Sequence, residues 1–273
     1  MTTVMASVQW QGAGQRHQLV ESLRAYLDGA VYPIDETPID PATGDTRQGV
    51  KHLDEIRANI SAQMTHLEAL APSRLLTLSC ECSGDIAPIA YFARRHADLR
   101  ILWVDAHADL NTPASSPSGD FHGMPLRTLL GEGPQPILDL LSIHLTPKQV
   151  GLVGVRDCDP GEQDFIASRR IRHWLDLSVS ARAEIETFVT GKPIYIHFDL
   201  DVLDPDDESL ALFKTPDGLS YPDLGRWLSS LALHHTVVGM GLFEYHDPIG
   251  EFRERYAEIV ELCRRCLGTD LPG

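Results

Sequence analysis

Two segments of this 273-residue chain carry polar, mostly acidic side chains at every second position, directly after a run of apolar residues. The residues of this pattern are Asp105, His107, Asp109, Asp199 and Asp201. In an extended chain, residues two positions apart point to the same face. Carboxylates gathered in this way repel each other unless cations neutralise them. Solvated loop acids or helix caps are the usual explanation for a single aspartate, but they account poorly for two such runs.

Carboxylate and imidazole ligands together favour hard or borderline divalent metals, with Mn²⁺ first and Fe²⁺, Co²⁺ or Zn²⁺ as alternatives. Aspartates that can bridge favour a pair of metals, which together hold a hydroxide as a nucleophile. The spacing therefore predicts a binuclear centre suited to hydrolysis.

The elements that must position these residues alternate between short apolar runs and longer segments of helical period, a pattern typical of βαβ units around a parallel sheet. The predicted strands are 75–78, 101–104, 150–155, 194–198 and 237–242. The predicted helices are 53–70, 160–167, 180–189, 222–233 and 251–267. The expected fold class is α/β, one three-layer αβα domain over residues 1–273 with a central, mostly parallel sheet. Ligands bind at the carboxyl edge of such sheets, so the metal site is expected there.

Composition and charge exclude several classes of protein. The 43% hydrophobic and 23% charged residues are ordinary for a globular chain. Lys and Arg number 23 against 39 Asp and Glu, and the net charge of −16 disfavours nucleic-acid and membrane partners. The chain has neither an apolar run of about 18 residues nor a signal-peptide pattern at its start, so a cytoplasmic location is expected. The five cysteines argue against a disulfide framework.

Four segments, in chain order, resemble signatures of the ureohydrolases, the family of arginase and agmatinase. They are WVDAHADLNTP at 103–113, SGDFHGMP at 118–125, GVRDCDPGE at 154–162 and HFDLDVLDP at 197–205. The resemblance implies an arginase-like fold, two Mn²⁺ per chain and a small guanidino amino acid as substrate. Family members commonly associate, so the resemblance also implies a homo-oligomer, although no sequence feature marks an interface.

The resemblance also implies a ligand set for the two metals. Asp105 and Asp199 would bridge both metals. Asp109 would complete the first metal site, and His107 and Asp201 would complete the second.

Substrate-handling residues follow from the same resemblance. His122 matches the family's proton-shuttling histidine, and Glu244 in the segment GLFEYHDP matches the carboxylate that holds the guanidinium group. Asn111 and Ser118 match contacts to the substrate's α-carboxylate, and Asp159 and Glu162 match contacts to its α-amino group. Thr215 is a weaker substrate contact or a plain turn residue. This set places the chain nearer to arginase than to agmatinase, whose substrate has no α-carboxylate.

Two positions depart from the family pattern. Cys82, in the segment SCECS, stands where the family has a histidine ligand of the first metal. A thiolate there would lower the Lewis acidity of the metal and favour softer ions, whereas a merely buried Cys82 would leave the first site degenerate. Asp120 stands where the family has an asparagine that helps to bind the α-carboxylate. An anionic side chain would repel that group unless it pairs with a cation.

A thiolate ligand favours a guanidine that differs electronically from that of arginine. With a cysteine in the ligand position and a short length, this chain resembles family members that hydrolyse Nω-hydroxy-L-arginine to hydroxyurea and L-ornithine in D-cycloserine biosynthesis, an antibiotic pathway. We therefore expect a metal-dependent amidinohydrolase that acts on C–N bonds in linear amidines. The alternatives are arginase, which forms urea and L-ornithine, another guanidino or formimino hydrolase, and a non-catalytic regulator that binds a metal or an amino acid.

Overall fold

A computed structural model describes residues 2–7, 31–33, 37, 39, 45–206, 210–245 and 251–268. Its strands are β1 Thr3–Ser7, β2 Val31–Pro33, β3 Thr46–Arg47, β4 Val50–Lys51, β5 Leu75–Ser79, β6 Arg100–Val104, β7 Val150–Val153, β8 Arg172–Trp174, β9 Ile194–Asp199 and β10 Val237–Phe243. Within these residues, eight strands form one sheet in the order β2-β1-β5-β10-β9-β6-β7-β8. Every pair in this sheet is parallel, while β3 and β4 form a separate antiparallel hairpin.

The helices cover both faces of the sheet. They are α1 Leu53–Leu70, α2 Ile86–Arg95, α3 Pro125–Leu129, α4 Gln135–Leu138, α5 Pro160–Arg169, α6 Val179–Val189, α7 Tyr221–His234 and α8 Arg253–Cys266. One hydrophobic core lies on each face of the sheet. Helices α1, α2 and α5 pack on one core, and helices α6, α7 and α8 pack on the other. Successive residues of β6 alternate between these cores, since Ile101 and Trp103 belong to one while Leu102 and Val104 belong to the other. The expected three-layer α/β fold is thus confirmed, with a fully parallel sheet.

Burial on both faces explains why the central strands could be recognised from sequence as continuous apolar runs. The five predicted strands and five predicted helices all occur, with ends that differ by a few residues. The prediction that β7 continues to residue 155 was wrong, because the strand ends at Val153 and Gly154 turns to a φ of 83°. None of the described helices is both long and apolar enough to cross a membrane.

Several elements escaped the sequence patterns for identifiable reasons. The edge strand β8 has the sequence RHW, and its first two residues are exposed, so it lacks an apolar run. Helix α2 is buried along most of its length and contains Pro88, which weakens a helical pattern. Pro88 lies in the first turn, where backbone N–H groups have no intrahelical partner, so the helix tolerates it.

Gly239 of β10 gives a test of packing beneath the site. A side chain at this position would meet the ring of Tyr195 and lie 3.0 Å from a ring carbon of Phe92. We expect Gly239→Ala to lower the free energy of unfolding by about 1–3 kcal/mol, because the buried rings would have to move. The measurement is the midpoint of urea unfolding.

Gly225 of α7 is the matched control for this substitution. An added Cβ would lie 3.6 Å from Leu262 Cδ2, an ordinary contact, within a helix that favours alanine over glycine. Gly225→Ala should leave the midpoint unchanged or raise it. An unchanged midpoint in Gly239→Ala would show that the two rings do not constrain β10.

Candidate active site

Four neighbouring strands of the sheet deliver buried polar side chains to one edge. The central order β5-β10-β9-β6 brings together the carboxyl ends of segments that are far apart in sequence. Cys82 follows β5, Asp105 follows β6, Asp199 ends β9 and Glu244 follows β10. All four residues are at most 4% exposed. The carboxyl edge of the sheet therefore holds a desolvated cluster of a thiol and carboxylates.

The aspartates converge through local turns rather than through one extended face. The strand β9 ends at Asp199, and a 3₁₀ turn over Leu200–Val202 follows it. Asp199 Oδ1 accepts a hydrogen bond from Asp201 N at 2.8 Å, which brings both carboxylates to the same edge. Asp109 adopts a left-handed φ of 51°. The predicted extended geometry was thus wrong, although these side chains do share one site.

Within the described residues, the possible ligand atoms form three groups in which all atoms lie within 4.8 Å of one another. The groups are Cys82, Asp105, Asp109 and His197, then Cys82, Asp199 and Glu244, and finally Asp105, His107 and Asp201. The thiol of Cys82 donates a hydrogen bond to Asp199 Oδ2 at 3.0 Å and lies 3.9 Å from Asp105 Oδ2. His107 Nδ1 lies 2.8 Å from Asp201 Oδ2. All six predicted metal ligands are therefore brought together.

The electrostatics of the cluster favour a bound cation. Burial, followed by the charge of Asp105, raises the pKa of Asp109 well above its usual range. Burial, followed by the charges of Asp201 and Asp105, does the same for Asp199. Burial also raises the pKa of the Cys82 thiol, and the surrounding carboxylates add to this effect. Metal binding would reverse these shifts, because a divalent cation stabilises the ionised forms.

Asp105 behaves differently from its neighbours. Burial raises its pKa, but the neighbouring imidazoles of His107 and His197 outweigh burial, and the net shift is downward. Trp103 Nε1 also donates to Asp105 Oδ2 at 3.1 Å. Asp109 Oδ2, by contrast, is buried without a hydrogen-bond partner among the described atoms. An ionised carboxylate beside an unsatisfied one fits a divalent metal, so the donors present suit the predicted centre.

A cavity of about 230 Å³ opens onto this cluster. Its lining includes the predicted substrate residues Asn111, Ser118, His122, Asp159, Glu162 and Glu244. The imidazole of His122 stacks on the ring of Phe213, with centroids 5.6 Å apart. Thr215 does not line the cavity, and its carbonyl accepts a hydrogen bond from Arg156 Nη2 at 2.7 Å. Thr215 therefore acts here as a loop residue held by Arg156.

Hydrogen bonds already fix part of the predicted substrate contacts. Glu162 Oε2 accepts a hydrogen bond from Asp159 N at 2.9 Å, and Glu162 Oε1 accepts one from Leu110 N at 2.7 Å. The second bond connects α5 to the loop that follows β6. Asn111 Nδ2 donates to Asp159 Oδ2 at 2.8 Å. Asp159, Asn111 and Glu162 thus form one polar wall of the cavity, and backbone N–H groups already engage both carboxylate oxygens of Glu162.

A lysine that sequence reasoning missed neutralises Asp120. Lys51 Nζ on the hairpin strand β4 lies 3.0 Å from Asp120 Oδ1. The backbone of Lys51 also donates to Gly119 O at 2.9 Å, which joins the hairpin to the cavity loop. Because Asp120 is paired with a cation, it no longer presents an uncompensated negative charge to a substrate carboxylate.

His197 is a second residue of the site that was not predicted. Its ring lies between those of Trp103 and Phe243, with centroids 3.5 and 4.4 Å away. His197 is fully buried, and its Nδ1 lies 2.8 Å from Asp85 Oδ2. It precedes Asp199 by two positions in the same strand, so the spacing rule applied to Asp105 and Asp109 could have found it.

The fold and the site define a metal-dependent hydrolase of the α/β type, and comparison with known proteins identifies its family. The model of the arginase family matches residues 15–265, so this chain belongs to the arginase family. Arginase of Staphylococcus aureus (strain COL) is 32% identical over 205 residues, which cover 72% of this chain and 68% of the relative. Membership makes this protein a binuclear-metal hydrolase that acts on C–N bonds in amidines.

Solved structures extend the likeness along the whole chain. The crystal structure of Entamoeba histolytica arginase in complex with L-ornithine superposes with a TM-score of 0.83 at 25% identity, covering 98% of each chain. The proclavaminate amidino hydrolase of Streptomyces clavuligerus superposes with a TM-score of 0.66 at 22% identity, covering 87% of this chain and 74% of that one. The second structure shares the fold with this chain.

Asp199→Asn tests the electrostatic description of the cluster. At pH 7 the metal-free variant should melt about 2 °C or more above the metal-free wild type, because asparagine removes one of several repelling charges. The sign follows from the raised pKa: keeping Asp199 ionised costs folding free energy above its unfolded pKa. Mn²⁺ at about 100-fold above its Kd should raise the wild-type melting temperature by about 5 °C or more and the variant's much less.

The exposed Asp164 of α5 supplies the matched control. Asp164→Asn removes the same charge at the surface and should leave both the metal-free melting temperature and the Mn²⁺ response unchanged. A full Mn²⁺ response in Asp199→Asn would contradict a role for Asp199 in metal binding.

Proposed function

We propose that this protein hydrolyses Nω-hydroxy-L-arginine to hydroxyurea and L-ornithine, with residues 1–273 forming a single domain. The observation that carries the proposal is the position of Cys82. Its thiol is buried within the first group of ligand atoms, where the family resemblance leads us to expect an imidazole. Supply of hydroxyurea for D-cycloserine biosynthesis, the role that the resemblance implies, is part of this proposal.

Two Mn²⁺ ions are the proposed cofactors. Asp105 and Asp199 would each serve both ions, Cys82 and Asp109 would complete the first site, and His107 with Asp201 would complete the second. When bound, the ions supply Lewis acidity that activates water and neutralises the buried carboxylates. The thiolate of Cys82 donates more charge than an imidazole would, so the first site should be a weaker Lewis acid and more tolerant of softer ions.

Glu244 and His122 would act on the guanidine group. Glu244 is 4% exposed, has a left-handed φ of 58° and lines the cavity beside the metal ligands, where its carboxylate can accept guanidine N–H groups. After attack on the guanidine carbon, the bond to the side-chain nitrogen of ornithine breaks and that nitrogen needs a proton. His122 would deliver this proton from the cavity wall, where stacking on Phe213 restricts its ring.

The far wall of the cavity would select an amino acid over a simple amine. Asp159 offers a carboxylate for an α-amino group, while Asn111 and Ser118 offer polar groups for an α-carboxylate. Lys51 compensates Asp120, which removes the repulsion expected between Asp120 and the substrate. These residues support an arginine-like substrate rather than agmatine.

L-Arginine is the second candidate substrate, and the arginase names of the compared relatives favour it. Against it stands the thiol at the first metal. The proclavaminate amidino hydrolase shares this fold, so the fold alone does not select arginine as the substrate. A substrate assay is therefore required to choose between the candidates.

Release of L-ornithine from three substrates tests the function directly. Purified protein loaded with Mn²⁺ should have its highest kcat/KM for Nω-hydroxy-L-arginine, a lower value for L-arginine and the lowest for agmatine, for which putrescine is measured instead. Glu244→Gln should lower kcat/KM for the best substrate by about 10²-fold or more, because the neutral amide no longer balances the guanidinium charge. Highest activity on agmatine would overturn the substrate assignment. Absence of turnover together with less than one metal per chain would favour a non-catalytic regulator.

Cys82→His tests the electronic reason for the substrate preference. An imidazole should restore Lewis acidity and raise the ratio of kcat/KM for L-arginine to that for Nω-hydroxy-L-arginine by about 10-fold or more. Cys158→Ser is the control, because Cys158 lies outside the cavity lining and is only partly buried. An unchanged ratio in Cys82→His would remove Cys82 as the cause of the preference.

A further inference from the structure

We propose that His197 Nε2 is a further ligand of the first metal and that Asp85 orients it. The inference rests on the proposed ligand set of the binuclear centre and extends that set to a residue of β9. It gives the first site an imidazole from a different strand, in addition to the thiolate of Cys82.

The position of Nε2 is the first argument. His197 belongs to the same group as Cys82, Asp105 and Asp109, in which one ligand atom from each residue lies within 4.8 Å of the others. The distance from Nε2 to Asp105 Oδ2 is 3.5 Å, and that from Cys82 Sγ to the same oxygen is 3.9 Å. Ligands that surround one ion at about 2.0–2.3 Å lie at such separations from each other.

The second argument is that Nε2 is left unsatisfied by the protein. It is buried and has no hydrogen-bond partner of good geometry in the part of the chain that the structure describes. Asp109 Oδ2, in the same group, is also buried and unsatisfied. A cation held by this group would satisfy both buried atoms.

The environment of the ring fixes which nitrogen can bind. His197 Nδ1 lies 2.8 Å from Asp85 Oδ2, and Tyr195 donates its hydroxyl hydrogen to the other oxygen of Asp85. A carboxylate on Nδ1 holds the proton there and leaves the lone pair on Nε2, as is usual for histidines that bind metals. The rings of Trp103 and Phe243 stack on His197 at 3° and 13°, so the imidazole cannot turn away.

The distance between His197 and Asp105 argues against a role limited to a hydrogen bond between them. Asp105 Oδ2 already accepts from Trp103 Nε1 at 3.1 Å, whereas the 3.5 Å separation from His197 Nε2 is long for a hydrogen bond. A neutral imidazole also suits a site whose other donors are anionic, because it adds a ligand without adding charge.

Proton NMR of the Co²⁺-loaded full-length protein tests the proposal. A histidine bound to Co²⁺ gives an exchangeable ring N–H resonance far outside the diamagnetic range, so the wild type should show one each from His107 and His197. His107→Asn should keep only the resonance of His197. His197→Asn should lose that resonance, and its first site should bind Co²⁺ at least about 10-fold more weakly. The exposed His234 of α7 is the control, and His234→Asn should change nothing.

Asp85→Asn serves if His197→Asn fails to fold. It keeps the imidazole, so the His197 resonance should remain but shift and exchange faster with solvent, while Co²⁺ affinity of the first site falls by about 10-fold. The proposal is overturned if His197→Asn retains the wild-type set of shifted resonances, or if no resonance responds to Asp85→Asn. These readouts use no substrate, so they are independent of whether the protein hydrolyses Nω-hydroxy-L-arginine.

Discussion

The architecture of this protein depends on the burial of several carboxylates at the carboxyl edge of the sheet. Asp105, Asp109, Asp199 and Asp201 are at most 4% exposed and belong to three overlapping groups of possible ligand atoms. Such a cluster is costly in a protein interior unless cations or protons compensate it. The local turns, the paired imidazoles and the cavity beside the cluster all have a simple explanation if this edge of the sheet is built to hold divalent metals.

Sheet order converts distant sequence segments into one centre. The strands β5, β10, β9 and β6 are neighbours, although their residues span positions 75 to 243. Their doubly buried interiors fix where each strand ends, and the short turns after them carry the predicted ligands. The loops 105–123 and 210–219 then wall the cavity without being part of the sheet. This division between a rigid frame and polar loops is typical of α/β enzymes.

Supporting contacts behind the predicted ligands are as informative as those residues themselves. Asp85, Tyr195 and His197 form a buried hydrogen-bonded chain that ends beside Asp105. On the other side of the cavity, Lys51 pairs with Asp120, and the hairpin that carries Lys51 is joined to the cavity loop. These contacts differentiate the site from a bare set of aspartates, and they involve residues whose types alone indicate no function.

The sequence by itself determined the three-layer α/β class and most of the central elements, because apolar runs are local patterns. Polar residues at strand ends also predicted five metal ligands, and that assignment stays a prediction. The resemblance to the family added Cys82, because it stands where the family has a histidine ligand. Only the tertiary structure decided that Thr215 lies off the cavity, that Lys51 compensates Asp120 and that His197 lies in the first ligand group. The two-residue spacing could have marked His197 as a candidate, but each of these outcomes depends on contacts between residues that are distant in sequence, and periodicity carries no information about such contacts.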